Sequence, residues 1–241
     1  MKNAPRRRRP STLQRTPTLH PKLRLRWKRW LPGMRRDLTS LLASQEIFWD
    51  LQEVAKQNPK VLLPGDFFGW MCSNYVATVS IGIRSFTDQS NSSHSLWRML
   101  YEILENPGII ERAAHVRMYV PVPGAEYGHS TFDNVVGPGR AFLSQQAIRT
   151  DLRRIEDSSE RVRRFVNKRI AHRNSPGKIR RLPRFNEIDA ALRTLDEILC
   201  KYNLLLTAQG MASLRATFQH DWRHVLWEPW IPKGSPLRPG D

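Results

Sequence analysis

Apolar residues recur at helical spacing in one stretch of this chain after another, and each stretch is closed by a proline or glycine break. That rhythm constrains the fold to helices joined by sharp stops. Residues 38–57 place Leu38, Leu41, Leu42, Phe48, Leu51 and Val54 close to a 3.6-residue period and stop at Asn58-Pro59. After Pro64-Gly65, Asp66 is positioned to cap a second helix running to about Asp88. Its apolar residues Phe67, Trp70, Val79 and Ile83 fall on more than one face, as expected of a central helix. Ser93 or Ser95 can cap a third helix, through Leu96, Leu100 and Ile103, that ends at Asn106-Pro107. The helical signal returns from Ser144 to His172, with a break expected near Asp157-Ser158-Ser159, and once more from Asn186 to Ala208. No stretch alternates apolar and polar residues as a strand would. Between the third helix and Ser144, residues 114–141 lose all period, and Gly124 and Gly137-Pro138-Gly139 mark a long irregular connection. The expected architecture is an all-α bundle with a long irregular loop insertion.

Charge divides the chain differently. The net charge is +17, but thirteen Lys/Arg fall in residues 1–36 and ten in residues 161–186, with no acid in either. The remainder is net acidic, so two basic segments sit on an acidic body, the layout of a polyanion footprint. Arg6 to Arg9 repel one another, and Pro5, Pro10, Pro17 and Pro21 interrupt any helix. Residues 1–33 are therefore expected to be a disordered basic arm, with Trp27 and Trp30 docking on a helical domain of residues 34–241. That domain is large enough for one substantial core, since 40% of the residues are hydrophobic and eight are tryptophan. Two distant cysteines, Cys72 and Cys200, make neither a disulfide framework nor a metal motif and point to a reducing, cytoplasmic compartment. No apolar run is long enough to span a membrane, and no secretory signal is legible at the N-terminus.

The segment with the most chemistry is Arg161 to Arg173. On a helical wheel Lys168 and Arg169 lie one turn from His172, and Arg161 returns to nearly the same face. Val162, Phe165, Val166 and Ile170 supply an apolar side. Neighbouring cations favour a neutral imidazole, which could take a proton from a ribose 2′-hydroxyl while Lys or Arg stabilised the phosphorane. The same face could equally grip phosphates without any chemistry. Arg161, Arg164, Arg169 and Arg173 are the expected phosphate contacts.

The string NKRIAHRN, Asn167 to Asn174, resembles the signature helix of the HEPN superfamily, in particular its abortive-infection, AbiU-like branch. SIGIRSFTDQS around Arg84 and Asp88, HSLWRMLYEILENP, IDAALRTLDEILCKYNLLL and the ending DWRHVLWEPW are similar to that branch in the same order. The resemblance implies a helical bundle that pairs as a homodimer about the signature helix and, in active members, cuts RNA without a metal or cofactor. It also implies a defence or toxin role with an antitoxin partner. His172 matches the family histidine and Asn167 the polar position, with Lys168 or Arg169 left to hold the phosphate. Val166 stands where the family has arginine, so the resemblance leaves two readings open: an RNA endonuclease, or a catalytically silent module that binds RNA or a partner protein.

Arg84 and Asp88 are spaced for an i,i+4 ion pair, either near the RNA site or purely structural. His220 and His224 flank Asp221 at a spacing compatible with a metal, but no third ligand is evident, and no metal site is expected. Trp222, Trp227 and Trp230 are expected to pack on the bundle. No phosphate loop or dinucleotide fingerprint occurs.

Overall fold

The computed structural model describes residues 19–63, 65–120, 124–170, 182–231 and 233–237. Among them the regular elements are all helical: α1 (Leu19–Gln57), α2 (Asp66–Phe86), α3 (Leu96–Leu104), α4 (Arg112–Val116), α5 (Ala125–Val136), α6 (Gln145–Phe165) and α7 (Phe185–Thr207). The one β-type pairing is an isolated bridge between Glu111 and Phe142.

Helix α1 corrects the expected arm. It starts at Leu19, so residues 19–33 are helical and continuous with the stretch expected from Leu38; residues 1–18 lie outside the described residues. The reason is a buried stripe beneath the charges. Leu23, Trp27, Leu31, Met34, Leu38 and Leu42 recur every three or four residues and are all buried, Trp27 and Leu38 completely. Pro21 falls in the first turn, where its missing N–H has no helical partner to lose. Pro32 lies mid-helix and does remove one i→i−4 bond, and the burial of Leu31 and Met34 on either side of it offsets that cost. Glu102 of α3 locks the segment by accepting from Trp27 Nε1 at 2.7 Å, Arg98 Nε at 3.2 Å and the Arg26 guanidinium. Trp30, by contrast, stacks on His94 with ring centroids 4.6 Å apart.

The four long helices form the bundle. α1 and α2 run antiparallel, with Phe48 stacked on Tyr75 at 3.9 Å and Leu41 against Gly82. A Cβ at Gly82 would stand 2.6 Å from both Leu41 methyls, so the close approach of these helices requires glycine there. α7 is antiparallel to α1, through Gln45 to Asp189 at 2.5 Å and Arg35 to Gln209 at 2.8 Å. α6 is antiparallel to α7 and is tied to it along its length. Buried Asp151 accepts from Lys201 at 2.7 Å and from the Tyr202 hydroxyl at 3.0 Å, and Arg154–Glu197 and Arg161–Glu187 ion pairs follow. Burial, with the Asp151 charge beside it, raises the Tyr202 phenol well above its ordinary range and keeps it a donor.

Capping follows sequence where serine leads: Ser95 accepts from the Arg98 N–H and Ser144 from the Ala147 N–H. The break expected at Asp157-Ser158-Ser159 is absent. Buried Ser159 donates to the Ile155 carbonyl at 2.6 Å and so sits inside an unbroken α6. Residues 114–141 also depart from expectation, holding α4, a 3-10 turn at Arg117–Tyr119 and α5 in place of a long irregular loop. These helices are too short to show a period and are fixed from outside. His115, fully buried, lies 3.3 Å from the Leu205 carbonyl of α7 and 3.0 Å from Thr131 of α5. After α7, Ala208 turns into the left-handed region (φ 60°), and the chain folds back so that Ser213 and the Leu214 N–H bind buried Asp196. Trp227 and Trp230 do not pack into the core: they are 67% and 65% exposed, and Trp230 meets the edge of Phe67 and donates to the Val225 carbonyl at 2.9 Å, while Trp222 is half-buried.

No described helix is long and apolar enough to cross a membrane.

Candidate nucleic-acid interface

The end of α6 is where the helix changes geometry. Gln145–Phe165 is α-helical, and Val166–Ile170 continues it as a π-helix. Such turns insert a residue and are frequent at functional sites. One added residue rotates everything beyond it by about 100°. A wheel drawn at 100° per residue therefore does not carry through Val166–Ile170, and the face that Arg161 and Lys168 are expected to share with His172 falls partly outside the described residues. His172 and Arg173, with the side chain of Arg169, lie outside the described residues.

Within the π-turn, alternate roles fall to neighbouring residues. Val166 is 6% exposed and is part of the packing. Asn167 is exposed and Lys168 half-buried. Arg84, near the end of α2, donates from Nε to Asn167 Oδ1 at 3.1 Å, and its Nη1 lies 3.6 Å from Asp88 Oδ1. Two residues 83 positions apart, both expected at the site from sequence, are thus in contact. Arg84 and Asp88 are each one-third exposed, so the clasp is open to solvent on one side.

Two of the other expected contacts, Arg161 and Arg164, are engaged within the molecule. Arg161 pairs with Glu187 of α7, and Arg164 with Glu160 one turn back at 2.6 Å. Both members of the Arg164–Glu160 pair are about 60% exposed. Such pairs are worth about 0–1 kcal/mol, so an incoming phosphate competes with them at little cost. Lys168 has no ion pair or hydrogen bond among the described residues. Arg163, set aside in sequence because its spacing to His172 is too long, lies on the half-buried side of α6, and its buried Nε has no hydrogen-bond partner among the described residues. Its only sequence signal is its place in a run of like charges, which does not tell an inward arginine from an outward one.

Chemically, the described part of the site offers an arginine, a lysine and an amide. These bind and neutralise phosphate oxygens but do not exchange protons near neutral pH. Any proton transfer would rest on His172. Cys200 is buried and free, and burial with Asp196 beside it pushes its thiol up to about 12. Among the described residues no group of three or more His, Cys, Asp or Glu is placed to hold a metal, and His220 and His224 belong to the exposed C-terminal segment. No family model matches this sequence, and no curated protein or solved structure matches it either.

Proposed function

We propose that this chain is an RNA-binding module of HEPN type, which holds the phosphate backbone at the junction of α2 with the π-turn ending α6. The observation that carries this reading is the Arg84–Asn167 hydrogen bond at 3.1 Å. It joins two of the five segments that carry the resemblance, in an all-helical bundle, with Lys168, which has no partner among the described residues, next to Asn167 in sequence. Pairing of two copies about the same helix, and a defence or toxin role with an antitoxin, are proposed with it on the strength of the resemblance.

Of the two readings left open by sequence, binding is favoured over cleavage. Buried Val166 offers the scissile phosphate no cation, and Lys168 supports a phosphate contact from the next turn without restoring the family's pattern. Cleavage stands as the second reading through His172 alone. Wild type, Arg84→Ala, Asn167→Ala and His172→Ala are each mixed with end-labelled single-stranded RNA in the presence of chelator. The expected result is binding that weakens about tenfold in Arg84→Ala, the scale of a lost charge-assisted contact, with RNA left intact by all four. Binding equal in all four would sink the proposal, and cleavage by the wild type that His172→Ala abolishes would replace it with the nuclease reading.

A further inference from the structure

A second basic concavity lies away from this site, on elements the RNA reading does not use. The N-terminal part of α1 and the α4 region enclose a cleft of about 510 Å³, within the roughly 300–1,000 Å³ of small-molecule pockets. His20, Arg24 and Lys28 lie four residues apart on α1 and face it together, and Arg117 closes the far side. Glu111 is the one carboxylate of the lining, and Arg117 engages it at 3.3 Å.

Among the described lining residues the three fixed cations Arg24, Lys28 and Arg117 share one carboxylate, Glu111, so the cleft keeps a positive excess. Arg24 donates to the Ile109 carbonyl at 2.8 Å, which fixes its guanidinium. The nearest partner of the Lys28 ammonium is the Met118 thioether at 3.6 Å, a weak acceptor. Burial, and then the neighbouring Arg24, pull the Lys28 ammonium below its ordinary range. Partial burial of convergent like charges is costly unless an anion completes the set. Pro21, Leu25 and Met118 line the same cleft and give it apolar surface beside the charges.

We infer that this cleft binds a small organic phosphate of mononucleotide class, its phosphate on Arg24, Lys28 and Arg117 and its base or other apolar body against Leu25 and Met118. Two arginines and a lysine suit a multiply charged phosphate better than a single carboxylate, because forked guanidinium donors match phosphate oxygens. The ligand could come as a free nucleotide or as the 5′-terminal nucleotide of an RNA, and the phosphate chemistry is the same for both.

Calorimetric titration of the full chain tests this, with AMP, adenosine, and RNA trimers carrying a 5′-phosphate or a 5′-hydroxyl as probes. AMP is expected to bind saturably and adenosine not at all. Lys28→Gln and Arg117→Gln should each weaken AMP about tenfold or more, the loss of one charge-assisted contact. Asn167→Ala should leave it unchanged, which separates this site from the RNA-binding clasp. Lys28 is half-buried and Arg117 exposed, so both variants should keep the wild-type circular dichroism and Tm. Competition by the 5′-phosphorylated trimer alone assigns the ligand to an RNA end, and its absence assigns it to free nucleotide. No saturable binding of AMP or of the phosphorylated trimer, or AMP binding that is the same in wild type and in both folded cleft variants, overturns the inference.

Discussion

The two basic segments of this chain are alike in charge and differ in backbone geometry. From Leu19 to Arg36, arginines and lysines ride on a continuous α-helix whose inner stripe, Leu23–Trp27–Leu31–Met34, is buried in the core. From Arg161 to Phe165 the charges ride on the end of α6, over buried Val162, and at Val166 that helix passes into a π-turn. An apolar residue every three or four positions is enough to make a folded helix out of an arginine-rich tail. Charge density alone is a statement about partners and carries little information about order.

The contrast can be broken most forcefully at Trp27. Trp27→Ala should cost about 3–5 kcal/mol in urea denaturation, the scale of a large buried aromatic. A loss below about 1 kcal/mol, as for a surface substitution, would return this segment to the status of a tail. Glu102→Gln comes next. Glu102 accepts from three donors on α1 and α3, and losing its charge should destabilise by roughly 1–3 kcal/mol. A smaller change is expected from pH. Burial, reinforced by Arg24 and opposed by the Leu205 carbonyl, lowers the folded-state pKa of His115. The unfolded chain therefore takes up this proton first. The stability held at neutral pH should fall as pH drops through the ordinary histidine range of about 6.5 toward the lower folded value. Tm measured between about pH 7.5 and 5 should decline more steeply in wild type than in His115→Gln. Parallel curves would mean that the α4–α7 contact does not hold the imidazole neutral. The smallest stability effect belongs to the second segment: Arg164→Ala should change folding by no more than about 1 kcal/mol, since Glu160 and Arg164 are both solvent-exposed.

Much of the bundle was legible before any coordinates. Helices α2, α3 and α7 begin and end within a few residues of the expected bounds, and Ser95 caps α3 as read, whereas Asp66 is the first residue of α2 and makes no capping hydrogen bond. What was misread elsewhere was decided at a distance. Pro21 looks like a helix breaker, and only the α3 carboxylate and the core beneath Trp27 explain why α1 continues through it. Residues 114–141 look irregular because α4 and α5 are fixed by His115 reaching Leu205, ninety residues away. At the candidate site, Arg84 and Asn167, on two of the segments that carry the resemblance, are in contact, and Asp88 pairs with Arg84. The π-turn at Val166–Ile170 was not legible, because it leaves no period for a helical wheel to detect.

The central claim is that RNA is held at the α2–α6 junction and not by the arginine-rich face of α1. Equal charge removal from the two places tests it directly. Arg84→Gln with Lys168→Gln neutralises the junction; Lys22→Gln with Arg29→Gln neutralises two exposed cations of α1. Affinity for a single-stranded RNA is measured for both double variants and the wild type across a salt series. The junction variant should lose affinity by about tenfold or more, with the salt slope shallower by roughly 0.7 per phosphate contact removed; the α1 variant should stay within about twofold of wild type, as expected when only distant, screened charge is lost. Equal losses in the two variants, or the greater loss in the α1 variant, would contradict it.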